Sequence, residues 1–397
     1  MMEDDYGEHE EDDFQIVEEI ELDYDEDCNE LAYAVEDLGV DGELTENDDD
    51  LVIQRDDSGL TFTKHSESVF AVDFDPSSRS HIVSGGEDNR AFVWKISDGS
   101  VKFLCDGHKD SVTCVKFSHD SKYVATGDMS GLIKVWSFTT GVEIWSFETS
   151  DLEWLLWHHG AHVLFAGTAD GEFWMWKIPD GACKTFQSHG PKTTCAHLLN
   201  DGKRICVGYG DGSLKLWDLK NANYMFHVSG NYAHKTSTTC IDVNENYTLL
   251  ASGSEDGILK LTHLGNGKVL GSIEAALIQE GDLSIESVAF CSILPVVLTG
   301  SLSGKLGIWD LTNQRIRQQC EHPAGVTKIL CEGGMIFSAC LDGILRLWDA
   351  RSGNCEREWH GHSAPILDMA YSRLDACVFT SSDDKTVKRY SLAEPCR

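Results

Sequence analysis

The sequence predicts an all-β chain wound into a ring of small antiparallel sheets, a β-propeller, behind an acidic N-terminal arm. Three observations predict it: a pattern that returns about every forty residues, two-residue alternation inside each copy, and a charge distribution that sets residues 1–57 apart. The pattern is plainest in GHKDSVTCVKFSHDSKYVATGDMSGLIKVW (107–136). Apolar residues alternate through Val112, Cys114 and Phe117. They resume at Tyr123 and Ala125 after a polar turn, and reach Trp136 after a second turn at Asp128–Gly131. Three short alternating runs divided by turn residues make a meander of strands, not a helix.

The arm comes first. The 397 residues carry a net charge of −34, and residues 1–57 hold 26 of the 66 acids against a single base, Arg55. A segment at −25 buries too little apolar surface to fold, so disorder is expected over 1–57. FQIVEEIEL (14–22) interrupts the acid run; it reads as solvated tail, with a docking motif as the other reading. The remaining 340 residues, at −9, are mildly acidic. That balance argues against binding nucleic acid phosphates directly and for attraction to basic proteins. The fourteen cysteines include no C-x-x-C pair. Cys114, Cys195 and Cys240 fall on apolar strand positions, where a thiol packs as a small hydrophobe, as suits a reducing compartment. No signal peptide opens the chain and no apolar run approaches about 18 residues. A soluble monomer of the cytoplasm is expected, with the nucleus or the cell-membrane periphery as further locations and the Asn246 sequon unused.

From residue 58 the repeat takes over. An aromatic residue ends the third strand of each unit: Trp94, Trp136, Trp176, Trp217, then Thr262 in the same register, then Trp309, Trp348 and Tyr390. The spacings of 42, 40, 41, 45, 47, 39 and 42 match a propeller blade among known repeat lengths. A histidine opens most units (His65, His108, His189, His234, His322, His362), whereas blades 3 and 6 begin at DLEWLLW (151–157) and IESVAF (285–290) without one. Eight units favour eight blades; seven stays open if the Thr262 or Trp309 unit is an insertion. Each unit supplies a fourth strand after its aromatic residue, as VKFLC (101–105) does, but only SLAEPCR follows Tyr390. The spare strand GLTFTK (59–64) is expected to complete the last blade and hide its open edge, giving a propeller domain over 58–397. Residues 264–285 read as the longest inter-blade connection, helical in the middle.

Gly-His, Ser/Thr-Gly-x-x-Asp and Trp-Asp, recurring over 58–397, resemble the WD-repeat family. The resemblance implies a WD40 propeller with a hydrogen-bonded His, Ser or Thr, Asp and Trp in each blade. Blade 1 would use His65, Ser84, Asp88 and Trp94, and blade 7 His322, Ser338, Asp342 and Trp348. Blade 8 has His362, Thr380 and Asp384 but Tyr390 for Trp. Blades 2 and 6 carry Ser130 and Ser303 where the Asp is expected, which sets their tetrads in question. Within the family, the acidic arm, SGGEDNRAFVWKISDG (84–99) and AGTADGEFWMWKIPDG (166–181) resemble one branch. Its yeast member escorts a basic large-subunit ribosomal protein, and its animal members imply roles in cell migration and angiogenesis.

The resemblance also implies that partners bind one rim, at three positions per blade: two at the start of the first strand and one just before the tetrad Asp. Read in register, these include Glu87, Asp151, Glu153, Glu255, Glu286 and Asp383 against one base, Lys192, with apolar Phe70, Met129, Leu302, Leu341 and Leu367. Such a rim suits a basic peptide with a few large side chains, and Phe70 and the six acids are the candidate partner-binding residues. Catalytic residues, cofactors and metals are not expected. The His-Ser-Asp sets recur in buried register, unlike a triad with an exposed nucleophile. GYGDG (208–212) and GNGKVLG (265–271) lack the residues of a phosphate loop and read as turns. HHGAH (158–162) sets three imidazoles in one turn, but falls where other blades have a solvent turn such as SHDS (118–121) and reads as one, with a metal site as the other reading. FWMW (173–176) reads as third-strand packing instead of a stacking platform for bases.

Overall fold

The structure is a computed structural model and describes residues 55–187, 190–246, 248–276 and 281–393. The arm to residue 54, its stretch 14–22, His189 and residues 277–280 lie outside the described residues. Strands of three to seven residues pair into eight four-stranded antiparallel sheets, and the Thr262 and Trp309 units are complete blades. Seven blades are therefore ruled out.

Burial follows strand position. The second strands are the most enclosed: His81–Gly86, Val296–Ser301 and Cys377–Ser382 are buried at every residue. The outer strand Ile316–Glu321 instead leaves five of its six residues exposed. The core is thus a series of seams between neighbouring sheets. Val83 and Val93 of blade 1 pack with Val112, Val115 and Val124 of blade 2. At Gly85 a Cβ would stand 2.7 Å from Val112 Cγ1, so the glycine is what lets these two sheets close together. Polar side chains add crosslinks between first strands. Asp73 accepts from the Phe117 N–H at 2.8 Å, Asp242 from Phe290 at 2.7 Å, Ser287 from Ile329 at 3.1 Å and Asp368 from Val72 at 3.1 Å.

The ring closes through its two ends. Strand Leu60–Phe62 pairs antiparallel with Val387–Ser391 as the outer strand of blade 8, setting Leu60 opposite Arg389 and Phe62 opposite Val387. Phe62 then stacks on Trp94 of blade 1 with ring centroids 4.5 Å apart. Asp56 and Asp57, which the sequence places in the arm, extend the clasp. Lys388 Nζ lies 2.6 Å from Asp56, and Asp57 exchanges backbone and side-chain hydrogen bonds with His360, each 2.9 Å.

The segment 264–285 departs from expectation. Val269–Glu274 is not helical but the outer strand of blade 5, because its alternating side chains pair with Ile258–His263. The true connection begins at Ala275. Among the described residues the only helical element is a single 3-10 turn, Gly230–Tyr232, and no helix is long and apolar enough to cross a membrane. The twelve described cysteines are free thiols. Burial pushes Cys114 up to about 11 and Cys195 to about 12, which keeps both thiols protonated and inert.

Candidate partner-binding face

The polar clusters that hold each blade's loops sit at one end of the sheets. In blade 1, His65 Nε2 lies 2.9 Å from Ser84 Oγ, its Nδ1 3.1 Å from Asp88, and Trp94 Nε1 donates to Ser84 at 3.2 Å. Blade 8 repeats this with His362, Thr380 and Asp384 at 2.8 and 2.7 Å. Its Tyr390 hydroxyl is buried without a partner. Blade 2 is complete by another route. Asp128, two residues ahead of Ser130, meets His108 Nδ1 at 3.0 Å, while Thr126 joins His108 and Trp136 at 2.8 and 2.9 Å. Ser130 donates to Asp128 at 2.7 Å, supporting the carboxylate instead of replacing it.

Blade 7 differs from its expected tetrad. His322 and Trp348 meet Ser338 at 2.8 and 2.9 Å, but Asp342 is taken by Arg346 at 2.7 Å. His322 Nδ1 is left buried and unpartnered. Burial, reinforced by the Arg346 charge, pushes the imidazole down to about 4. In blade 6, which has no histidine, Trp309 Nε1 donates to Thr299 at 2.9 Å, and Ser303 pairs with Ser301 at 2.6 Å.

With the loops so fixed, two backbone features repeat in all eight blades. Glu87, Met129, Ala169, Gly210, Glu255, Leu302, Leu341 and Asp383 each donate their N–H to the start of the first strand, at 2.8–3.2 Å. Two residues after each accepting carbonyl the pairing slips by one residue, leaving a bulge at Phe70, Thr113, Glu153, Thr194, Thr239, Glu286, Thr327 and Leu367. A bulge bends the strand and re-aims the side chain it carries. Six of these eight residues, Phe70, Thr113, Thr239, Glu286, Thr327 and Leu367, line one cavity of about 520 Å³ in the mouth of the central channel.

The sequence-predicted residues are thus distributed. Phe70 and Glu286 face the channel mouth together, and Ser284 holds the Glu286 carboxylate at 2.6 Å. Glu87, Asp151, Glu255 and Asp383 are exposed on the surrounding loops, and Asp383 accepts from Ser68 Oγ. Glu153 is half-buried and already neutralised, with Lys192 Nζ 3.2 Å away. Two further lysines at this end are also paired: Lys109 with Glu148 at 2.8 Å and Lys385 with Glu67 at 3.0 Å. Sequence reading missed the threonines. Thr327 Oγ1 donates across the seam to the Ile366 carbonyl at 2.8 Å, and Thr194 and Thr239 do the same to their next blades. Three polar bulge positions therefore clamp blades together.

The other motifs fall in structural places. Residues 208–209 end the second strand of blade 4 and 210–212 turn into its third, and 265–267 lie in the loop between the third and fourth strands of blade 5. Phe173 and Trp176 are buried strand residues. A cavity of about 820 Å³ opens at the opposite end of the channel. Of the bases that line it, Lys116 pairs with Asp73 and Arg373 with Glu332, both at 3.0 Å, Lys328 pairs with Asp368, and Arg79 is exposed.

Comparison with known proteins agrees with this architecture. The model of the WD domain, G-beta repeat, matches residues 57–95, 99–137, 182–218, 227–262, 313–349 and 353–391. The two stretches it skips contain the first strands of blades 3 and 6, which lack the leading histidine. The chain is 44% identical to the human Angio-associated migratory cell protein over 97% of its length and 95% of that protein's. It is 25% identical to the Ribosome assembly protein SQT1 of Saccharomyces cerevisiae, over 82% and 85% of the two chains. The crystal structure of Chaetomium thermophilum Sqt1 bound to the N-terminus of the ribosomal protein L10 superposes with a TM-score of 0.77 at 21% identity, covering 85% of this chain and all of that one. A buried His–Ser/Thr–Trp cluster recurring from sheet to sheet, eight times-repeated loop geometry and matches over more than half the sequence lead to one conclusion: the chain belongs to the WD-repeat family.

Proposed function

We propose that this protein is a non-enzymatic, monomeric escort that holds a basic segment of a large-subunit ribosomal protein on its acidic channel mouth before assembly. The observation that carries the reading is the ring of bulges. It brings Phe70, Leu367 and Glu286 to one cavity, with Glu87, Asp151, Glu255 and Asp383 exposed around it. Apolar anchors supply contact area and the surrounding carboxylates select Lys or Arg. The solved relative bound to the L10 N-terminus supports the class of partner. The arm's negative charge raises the encounter rate by long-range attraction. The expected compartment is the cytoplasm, with the nucleus or membrane periphery as further sites. A second reading, a scaffold recruiting signalling proteins in cell migration and angiogenesis, is favoured by the 44% likeness to the human protein of that name.

The test is calorimetric titration of the full chain with the N-terminal peptide of its own organism's L10-type protein. Glu255→Lys with Glu286→Lys should weaken binding by about tenfold or more, and raising the salt should weaken the wild type. Unchanged affinity in the double variant contradicts the site. Depleting the protein should lower large ribosomal subunits; intact subunit ratios with captured signalling proteins would favour the second reading.

A further inference from the structure

The turn at the far end of blade 3 offers three imidazoles in HHGAH (158–162), and the structure sends them to different places. His158 Nε2 lies 3.1 Å from the Gly202 carbonyl and His159 Nε2 2.9 Å from the Leu199 carbonyl, both in blade 4. His162 turns the other way, toward the Ser118–Lys122 turn of blade 2, and its Nε2 lies 3.0 Å from Asp120 Oδ2. His119 stands beside it, the two rings 5.3 Å apart, and His119 Nδ1 is buried without a hydrogen-bond partner.

We propose that His119, Asp120 and His162 bind one borderline divalent cation, Zn2+ foremost, which staples blade 2 to blade 3. One ligand atom from each of the three lies within 4.8 Å of the other two. Ligands about 2.1 Å from a shared ion stand roughly 3–3.5 Å apart, so the His162–Asp120 pair is already at ligation distance and His119 needs a small rotation. Two imidazoles and one carboxylate form a donor set for zinc, nickel or copper, and not the all-oxygen shell that calcium or magnesium takes. The surroundings orient the ligands. Asp120 Oδ1 accepts from Ser118 Oγ at 3.1 Å and from the Lys122 N–H at 3.2 Å. The edge of Tyr123 packs on the His162 ring with centroids 4.8 Å apart. Lys122 Nζ, 2.9 Å from Asp120, occupies the cation's side of the carboxylate. Its side chain is 65% exposed and swings into solvent when the ion enters. All three ligand residues are partly exposed, so the ion has access and keeps water in its remaining positions.

The test uses the full chain, stripped of metal and free of any histidine tag. Titration with ZnCl2 should saturate at one equivalent and raise Tm. Copper substituted into the site should show hyperfine coupling to two imidazole nitrogens by electron paramagnetic resonance. His162→Ala and His119→Ala should each weaken Zn2+ binding by about tenfold or more, while His158→Ala and His159→Ala leave it unchanged. Binding that survives the His119→Ala, His162→Ala double substitution, or copper spectra with oxygen ligands only as from arm carboxylates, would overturn the proposal. If a variant fails to fold, the wild-type nitrogen coupling and stoichiometry still decide.

Discussion

At His322 the usual partner of a buried imidazole has been drawn away. Arg346, whose side chain is only 4% exposed, spans Asp342 and Glu358 at 2.7 Å each, so His322 Nδ1 faces no acceptor. The imidazole is held near 4 by burial and by the Arg346 charge. Because that lies below the ordinary value of 6.5, the unfolded chain binds the proton more tightly. Stability from this group is complete above pH 6.5 and lost as the pH falls through 4, a difference of about 3 kcal/mol. The tetrad carboxylates act in a lower window. Burial raises Asp128, Asp256 and Asp384, but hydrogen bonds from His108 to Asp128 and from His362 to Asp384, and for Asp256 the His234 imidazole 3.4 Å away with the Lys235 and Ile258 N–H groups, outweigh it and hold them near 2. Their contribution is present above about pH 4 and disappears toward 2. Urea unfolding of His322→Gln should therefore show a flatter pH dependence between 6.5 and 4 than the wild type. An unchanged slope would mean that His322 is not the titrating group. This exchange of partners was not legible in the sequence, where Asp342 occupies the expected position. Only the fold shows that Arg346, four residues on, reaches it first. In blade 2 the opposite held: Ser130 obscured a complete cluster because the carboxylate had moved two residues along the same loop.

At the scale of elements, the closing strand carries more than its three residues suggest. Phe62 is 2% exposed and stacks on Trp94, so it joins blade 8, whose sheet it completes, to blade 1. Phe62→Ala should cost about 3–5 kcal/mol, as large buried aromatics do. Removing 58–64 should lower Tm far more than removing 1–50, which spares Asp56 and Asp57 with their bonds to Lys388 and His360. Equal melting temperatures for the two truncations would contradict the clasp. This element was legible from the sequence by arithmetic alone: the last unit lacks a fourth strand and the first has one to spare. Val269–Glu274 was not, because its alternation is short and runs into Ala275–Ala276, which blurred a strand into a helical pattern. The bulges were not read either: each shifts the alternation by one residue and leaves two buried residues in a row, as at Trp154 and Leu155, a pattern that a continuously buried strand shares.

Across the whole body, the two ends of the channel differ in what their charges do. At the far end Lys116 and Arg373 are balanced by Asp73 and Glu332 around the 820 Å³ cavity. At the bulged end the lysines named above are spent in ion pairs, while Glu87, Asp151 and Glu255 stay exposed. The excess of acid at these positions could be read from the sequence once the repeats were aligned. The pairing of Glu153 with Lys192 could not, because it joins neighbouring blades across 39 residues. Hydrogen–deuterium exchange of the full chain, with and without the basic N-terminal peptide of an L10-type protein, locates the bound segment most directly. Protection should concentrate in the loops carrying Glu87, Asp151, Glu255 and Asp383 and in the strand starts at Phe70 and Glu286. Protection confined to the far-end turns around Arg79 and Arg373, or to the outer strands, would contradict an acidic channel mouth that grips cationic protein.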